Sequence, residues 1–235
     1  MKMVMDDIGE VTFVKNSRSK NLRITVKPFE GIKVTLPDAL SFKSAISFVY
    51  EKKDWIKKSV GNVKKIEDSA IIFDENSGFH TKYHTLKIQT HDKEDCRGFT
   101  KGGVFYFFYP RHREVTSKSV QDRIKTGIIW LLRKEARSYL PFRVMHLAEK
   151  HGFTYQKVFV KNLKSRWGSC SHVNNINLNI HLMRLPDHLI DYVILHELVH
   201  TVHKNHGKMF WKMLDELCGD ARNLRKQMGN YRIIF

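Results

Sequence analysis

The stretch that decides the fold is His196-Glu197-Leu198-Val199-His200, and His206 follows it six residues later. Two histidines four positions apart on a helix lie about 40° apart around its axis, so both imidazoles can reach one metal ion. A glutamate beside the first histidine is the residue that a zinc hydrolase uses to take a proton from the attacking water. A third histidine ligand would leave one coordination position for water. The pattern predicts a zinc-dependent hydrolase, with a peptidase as the leading class.

Two histidines compete for the place of third ligand. On a straight helix His203 lies about 20° from the His196 face but roughly 10 Å along the axis, which is too far for an ion with bonds of about 2 Å. His206 requires the chain to turn after His200, and the residues that flank His206 permit such a turn. We therefore expect one zinc ion per chain, held by His196, His200 and His206, with Glu197 as the general base.

Two other interpretations of the motif are weaker. The spacing 196, 200, 206 equals that of the metzincin motif, but His203 occupies the glycine position of that motif and no convincing Met-turn follows. A chance match on a structural helix is the other alternative. The apolar residues around the histidine pair and the well-placed third histidine argue against it.

Composition places the chain among cytoplasmic proteins. Of its 235 residues, 42% are hydrophobic, which is enough to build a core. The three cysteines form no CxxC pair, so a disulfide framework or a cysteine-built zinc site is not expected. The start of the chain does not resemble a signal peptide, and no apolar stretch of about 18 residues is present. We expect a cytoplasmic protein without membrane contact.

The formal net charge of +17 is large for this length. Residues 15–65 hold 13 Lys or Arg against 4 Asp or Glu. Such a balance favours attraction to nucleic acid or to acidic substrates. The alternative is a solvated basic surface, because no recognised nucleic-acid motif accompanies the charge.

The pattern along the chain predicts an α+β fold in three parts. A basic β–helix N-terminal subdomain covers 1–68, a β-rich segment covers 69–115, and the catalytic core covers 116–235. In the first part we expect strands at 11–14, 22–26 and 32–36, a turn around Pro28 and Phe29, and a helix from 42 to about 65 with Trp55 in the core.

The second and third parts contain an aromatic strand, a long helix and the metal helix. The run Val104-Phe105-Tyr106-Phe107-Phe108-Tyr109 is interpreted as core rather than as a base-stacking surface. A helix follows over 117–150, with Pro141 expected to kink or divide it. Strands are expected near 157–161 and 176–181, and the metal helix near Pro186. His80 and His84 share the four-residue spacing, but their context indicates a loop or strand.

Several segments resemble the YgjP-like zinc metallopeptidases, which have a minigluzincin-like core and are related in motif to SprT-type proteases. The segments are Ser17–Leu22, Val34–Pro37, Trp55-Ile56, Lys164–Ser171, Ile176–Asn179, Leu185-Pro186, Tyr192–His200, Asn205–Gly207 and Phe210-Trp211. The resemblance implies a zincin-like core, a mixed sheet plus the HExxH helix, behind an N-terminal β-hairpin/helix subdomain. It also implies that the zinc ligands are His196, His200 and His206. Position 207 is Gly where many members carry Ser.

Three further residues are candidates for substrate binding. In zincin folds an edge strand beside the metal helix can pair with an extended substrate. Trp167 would then form a wall of the cleft and Arg166 would bind an acidic group. The alternative places Trp167 in the core and pairs Arg166 internally. His203 is also a candidate, and with Asn205 and Tyr192 it is one of three possible oxyanion stabilisers.

Three functions compete at this stage. The first is a zinc-dependent metallopeptidase acting on protein or peptide substrates. The second is a metal-dependent nucleotide hydrolase, which the positive charge would suit. The third is a SprT-like protease associated with nucleic acid through the basic N-terminal region.

Overall fold

The structure, a computed structural model, describes residues 1–27, 30–68 and 71–233. Helices and sheets both occur, so the predicted α+β class is confirmed. The chain divides into two compact units, Met1–Ile71 and Ile72–Phe235, each with its own buried hydrophobic cluster. The division at 68 and 115 stays a prediction. The predicted turn at Pro28 and Phe29 lies outside the described residues.

The first unit contains a four-stranded sheet. Its strands are β1 (Lys2–Met5), β2 (Gly9–Lys15), β3 (Arg23–Lys27) and β4 (Gly31–Leu36), in the order β1-β2-β4-β3. Strands β2 and β4 run parallel, and the other pairs run antiparallel. Alternate residues of β4 are buried, as expected for a strand with one face on a core. The predicted strands are confirmed, and β1 was missed because it has only four residues.

Two helices follow where one was predicted. Helix α1 (Phe42–Glu51) begins after Ser41, whose side chain accepts a hydrogen bond from the Ser44 N–H at 3.1 Å. Helix α2 (Lys53–Asp68) follows at once. The placement of Trp55 in the core was wrong, because its side chain is 52% exposed. Trp55 lies about 100° around the helix from the buried Ile56, and so off the buried face.

The second unit opens with a three-stranded sheet that packs on a long helix. Strands β5 (Thr85–His91), β6 (Arg97–Lys101) and β7 (Val104–Pro110) lie in the order β5-β7-β6, with β5 parallel and β6 antiparallel to β7. Helix α3 (Lys118–His151) is continuous, and Pro141 does not divide it. The aromatic run is only partly core, because Phe105, Phe107 and Tyr109 are buried while the residues between them face away.

The remaining elements include the helix predicted to carry the metal ligands. Strands β8 (Val158–Lys161), β9 (Gly168–Cys170) and β10 (Ile176–Asn179) form a sheet of order β8-β10-β9, which leaves β9 at an edge. A short 3₁₀ helix (Ile180–Arg184) leads into helix α4 (Asp187–Val199), and helices α5 (Lys208–Cys218) and α6 (Ala221–Met228) follow. Among the described residues, no helix is both long and apolar enough to cross a membrane.

Candidate metal centre

Helix α4 carries the first half of the site inside the second unit. It is apolar around most of its circumference, and the buried apolar residues are Leu189, Ile190, Tyr192, Val193, Ile194, Leu195, Leu198 and Val199. Such a helix must be enclosed by other elements, and α4 contacts α3, α5, α6, β9 and β10. It ends at Val199 with His200 as its C-cap. The chain therefore turns directly after the second histidine.

The turn brings three histidine side chains together. His206 Nε2 lies 3.1 Å from His196 Nε2 and 3.2 Å from His200 Nε2. The three ligand atoms all lie within 4.8 Å of one another. A tetrahedral zinc ion with bonds of about 2.05 Å places its ligands about 3.3 Å apart, so the separations that involve His206 fit such an ion. His203, the competing candidate, does not belong to this group.

The protonation of His200 favours metal binding through Nε2. Its Nδ1 lies 3.0 Å from the backbone carbonyl oxygen of His203, and a carbonyl can only accept, so Nδ1 carries the proton. The lone pair of Nε2 is thereby left for a metal, as in many metal-binding histidines. Burial, aided by the charges of His200 and His206, lowers the pKa of His196 to about 3. Its imidazole is therefore neutral, which is the form that binds a metal.

Phe210 packs against all three imidazoles. Its buried ring, on α5, lies 4.9 Å from the ring of His196, 4.6 Å from that of His200 and 4.7 Å from that of His206, measured between centroids. Trp211 packs beside His206 at 5.9 Å. These contacts restrict the rotamers of the histidines, so the ligand set is held in place by packing. The sequence motif alone did not indicate this role of Phe210.

Glu197 follows His196 in the chain and is buried, with one carboxyl oxygen that makes no hydrogen bond among the described residues. The residue is 5% exposed, and Oε2 has no hydrogen-bond partner among the described residues. Burial raises the pKa of Glu197 to about 8, against the opposing effects of the Arg166 charge and of the Cys170 backbone N–H. An unpaired buried carboxylate oxygen is costly unless it serves a function or binds water. A divalent cation at the triad would favour the ionised form of this carboxyl.

Gly168, on the edge strand β9, lies directly against Glu197. A Cβ atom at position 168 would come within 2.7 Å of Glu197 Oε1 and 2.8 Å of its Cγ. Only a residue without a side chain allows the strand to pass so close. The motif Lys164–Ser171 did not by itself indicate this role of Gly168, although a glycine inside a strand is the usual sign of a close backbone approach.

The segment before β9 is fixed by a buried asparagine. Asn179 is fully buried, and its Nδ2 donates to the carbonyl oxygens of Leu163 at 2.9 Å and Arg166 at 2.8 Å. Its backbone N–H donates to the carbonyl of Trp167 at 2.9 Å. Arg166 and Trp167 directly precede the edge strand β9. Arg166 is exposed, and Trp167 is half-buried.

The other candidates lie at the margin of the site. Tyr192 is buried, and its ring lies 6.2 Å from that of His196. Cys170 of β9, which is not one of these candidates, is half-buried, and burial raises the pKa of its thiol. His84 belongs to a separate pair, in which its Nδ1 lies 2.6 Å from Glu135 Oε1. His84 is therefore not part of the histidine triad.

Comparison with protein families assigns the class of the chain. Residues 20–231 match the family described as YgjP-like, metallopeptidase domain. The protein is a metallopeptidase. It belongs to the YgjP-like family, as the resemblance predicted, and its fold is α+β with a zincin-like core.

Searches of known proteins add only distant similarities. The chain is 20% identical to the metallopeptidase zymogen abylysin of Pyrococcus abyssi, with a TM-score of 0.35 over 40% of this chain and 98% of that one. It is 23% identical to the zymogen jannalysin of Methanocaldococcus jannaschii, with a TM-score of 0.33 over 39% and 96%. Wss1 from Saccharomyces cerevisiae is 24% identical, with a TM-score of 0.29 over 36% and 73%. No curated protein matches. The family assignment therefore depends on the family match over residues 20–231, and these distant similarities add nothing to it.

Proposed function

We propose that the protein hydrolyses peptide bonds with one zinc ion held by the Nε2 atoms of His196, His200 and His206, and with Glu197 as the general base. The observation that supports this proposal is the convergence of three Nε2 atoms, together with a buried carboxylate oxygen on the residue next to His196 that has no hydrogen-bond partner among the described residues. All four side chains come from one short stretch of chain, so their relative positions follow from the end of α4 and the turn after it.

Each residue of the site would have a separate role in peptide hydrolysis. When bound, zinc polarises the substrate carbonyl and makes water a better nucleophile at neutral pH. Glu197 Oε2 takes the proton from the attacking water and passes it to the leaving amine. The His203 carbonyl holds the His200 ring through Nδ1–H, and Phe210 keeps the three rings in place. The buried surroundings of Glu197 limit the access of bulk water.

We propose that Arg166 and Trp167 contact the substrate. Arg166 is exposed two residues before Gly168, which lies against Glu197, and the Arg166 charge lowers the pKa of Glu197. A guanidinium in that position favours an acidic side chain or a terminal carboxylate on the substrate. His203 contributes in this proposal through its carbonyl oxygen rather than as a ligand.

The decisive experiment is cleavage of a diverse peptide mixture by the zinc-loaded protein, followed by mass spectrometry. New peptide termini should appear with the wild type. Glu197→Gln should lower the rate by at least about 100-fold, because it removes the general base while preserving the shape of the side chain. Elemental analysis should find one zinc ion per chain in both proteins and none in His200→Ala.

A matched control is Glu216→Gln on the neighbouring helix α5, where the glutamate side chain is 65% exposed. This variant should cleave peptides at the wild-type rate. Unchanged turnover in Glu197→Gln with zinc present would reject the proposed role of Glu197. Normal zinc content in His200→Ala would reject the ligand set.

A further inference from the structure

The outer face of the sheet β5-β7-β6 carries an aromatic strip in which one ring is exposed and two are half-buried. Phe99 of β6 and Tyr106 and Phe108 of β7 lie on the face opposite the buried Phe105 and Phe107. Phe99 is 48% exposed. None of the three belongs to the buried cluster of the second unit or to the partly buried residues packed against it, so the core itself does not account for three aromatic rings here.

The three rings are close together and share one orientation. The centroid of the Phe99 ring lies 5.4 Å from that of Tyr106 and 6.0 Å from that of Phe108, with interplanar angles of 26° and 16°. The Tyr106 and Phe108 rings are 6.5 Å apart, with an angle of 16° between their planes. Nearly parallel rings on adjacent strands form one aromatic patch on which other flat rings can stack.

Basic residues flank the aromatic strip on both neighbouring strands. Lys87 of β5 is paired with Tyr106, and Arg97 and Lys101 of β6 are paired with Phe108 and Val104. All three basic side chains are exposed. Within the described part of the chain, Lys87 and Lys101 take part in no ion pair.

The acidic neighbours of the strip are already bonded. Arg97 pairs with Asp95 at 2.7 Å, but both side chains are more than half exposed, so a phosphate group can compete for the guanidinium. Glu75 borders the strip beside Lys87 and Phe108, and its carboxylate accepts a hydrogen bond from the Tyr109 hydroxyl at 2.6 Å.

We propose that this face binds single-stranded nucleic acid, with bases stacked on Phe99, Tyr106 and Phe108 and phosphates near Lys87, Arg97 and Lys101. Stacking needs unpaired bases, because a duplex keeps its base faces covered. The flanking cations and the net charge of +17 favour a polyanion over a neutral peptide or a second copy of this basic chain. The surface shares no residue with the metal centre, and the proposal does not depend on peptidase activity.

The test measures the fluorescence anisotropy of labelled 20-nucleotide oligo-dT and oligo-U at 50 and 200 mM salt. Phe99→Leu and Phe108→Leu should each weaken binding about tenfold, whereas Phe99→Tyr should bind like the wild type, because it keeps the ring. Lys87→Gln should reduce the slope of log affinity against log salt by about one. Comparison of the two oligonucleotides distinguishes RNA from DNA.

Phe142→Leu is the matched control, since Phe142 is 63% exposed on α3 and is not part of the strip. It should leave the affinity unchanged. The proposal is overturned if the wild type does not bind at 50 mM salt, if Phe99→Leu binds as tightly as Phe99→Tyr, or if duplex DNA binds as tightly as single strands. A wild-type dimer that becomes monomeric in Phe99→Leu, with oligonucleotide affinity unchanged, would instead assign the face to self-association.

Discussion

Gly168 sets the distance between the edge strand β9 and Glu197. Since a Cβ atom there would meet Glu197 Oε1 at 2.7 Å, Gly168→Ala must move either the strand or the carboxylate. A displacement of about 1 Å at a reacting group can cost about 100-fold in rate. We expect kcat to fall by about that factor while zinc content stays at one per chain, measured by peptide cleavage and elemental analysis.

Gly61→Ala is the control for this substitution. A Cβ atom at position 61, on α2, would meet nothing within 4 Å. The change should leave kcat unaltered and stabilise the protein by about 0.5–1 kcal/mol, because alanine favours a helix over glycine. Full activity in Gly168→Ala would show that the close approach of β9 has no influence on the position of Glu197.

His181 should make the protein less stable in acid. Burial, with a further effect of the Arg184 charge, lowers its pKa to about 4, whereas an unfolded histidine titrates near 6.5. Between these values the unfolded chain binds more protons, so the free energy of unfolding falls as pH drops from about 6.5 to 4. This histidine alone should account for about 2 kcal/mol of the loss.

Urea unfolding of the wild type and of His181→Gln at pH 7 and pH 4.5 measures this contribution. Glutamine can still donate to Asn162 Oδ1, which lies 3.2 Å from His181 Nε2, but it does not titrate. The variant should therefore lose less stability on acidification than the wild type. An equal loss in both proteins would mean that other groups dominate in acid.

Among the elements, α3 and α4 are joined by a two-bond ion pair. Arg143 Nε donates to Asp191 Oδ1 at 2.7 Å, and Nη2 donates to Oδ2 at 2.5 Å. A lysine at position 143 keeps the charge but cannot form both bonds. We expect Arg143→Lys to lower the free energy of unfolding by about 1–2 kcal/mol in urea titrations.

The exposed pair of Lys118 and Asp122 on α3 provides the comparison. Its two side chains are 78% and 60% exposed, so Lys118→Gln should cost less than about 0.5 kcal/mol. If the two substitutions lower the free energy of unfolding by the same amount, the ion pair between α3 and α4 stabilises the protein no more than an ordinary surface pair does.

Elements with a clear periodicity could be predicted from the sequence, and those that depend on neighbours could not. The strand predicted at 32–36 and the helix start predicted at 42 depend on local signals, alternation in β4 and the cap at Ser41, so both lie close to the observed positions. The break at Lys52 and the two faces of β7 depend on what packs against them. For the same reason the spacing of His196 and His200 predicted a shared ligand face, whereas the contact between Gly168 and Glu197 arises only in the folded chain.

For the whole molecule, removal of zinc should affect one unit only. The histidine triad lies in Ile72–Phe235, and the two units have separate buried clusters. Zinc at 100 to 1,000 times its dissociation constant stabilises the state that binds it by about 3–4 kcal/mol. Calorimetry should show two transitions, and a chelator should lower only one of them, by roughly 10 °C.

His200→Ala is the control for the chelation experiment, since it should unfold at the same temperature with and without chelator. A shift of both transitions by the chelator would show that the units unfold together.

The basic charge of residues 15–65 was interpreted as a possible contact with nucleic acid, and that interpretation stays a prediction. The structure adds a different candidate surface, the aromatic strip around Phe99.

The short connection between His200 and His206 has a consequence for the lifetime of the enzyme. Val202 within it is 56% exposed, and Lys204 and Asn205 are also exposed. One cut in this connection would break the covalent link between His206 and the other two histidines, and the position of His206 would then depend on its packing against Phe210 and Trp211. A peptidase that accepted its own connecting loop as a substrate would thus loosen its own metal site without cutting a helix. The persistence of activity would then depend on the sequence of five residues as well as on the stability of the fold.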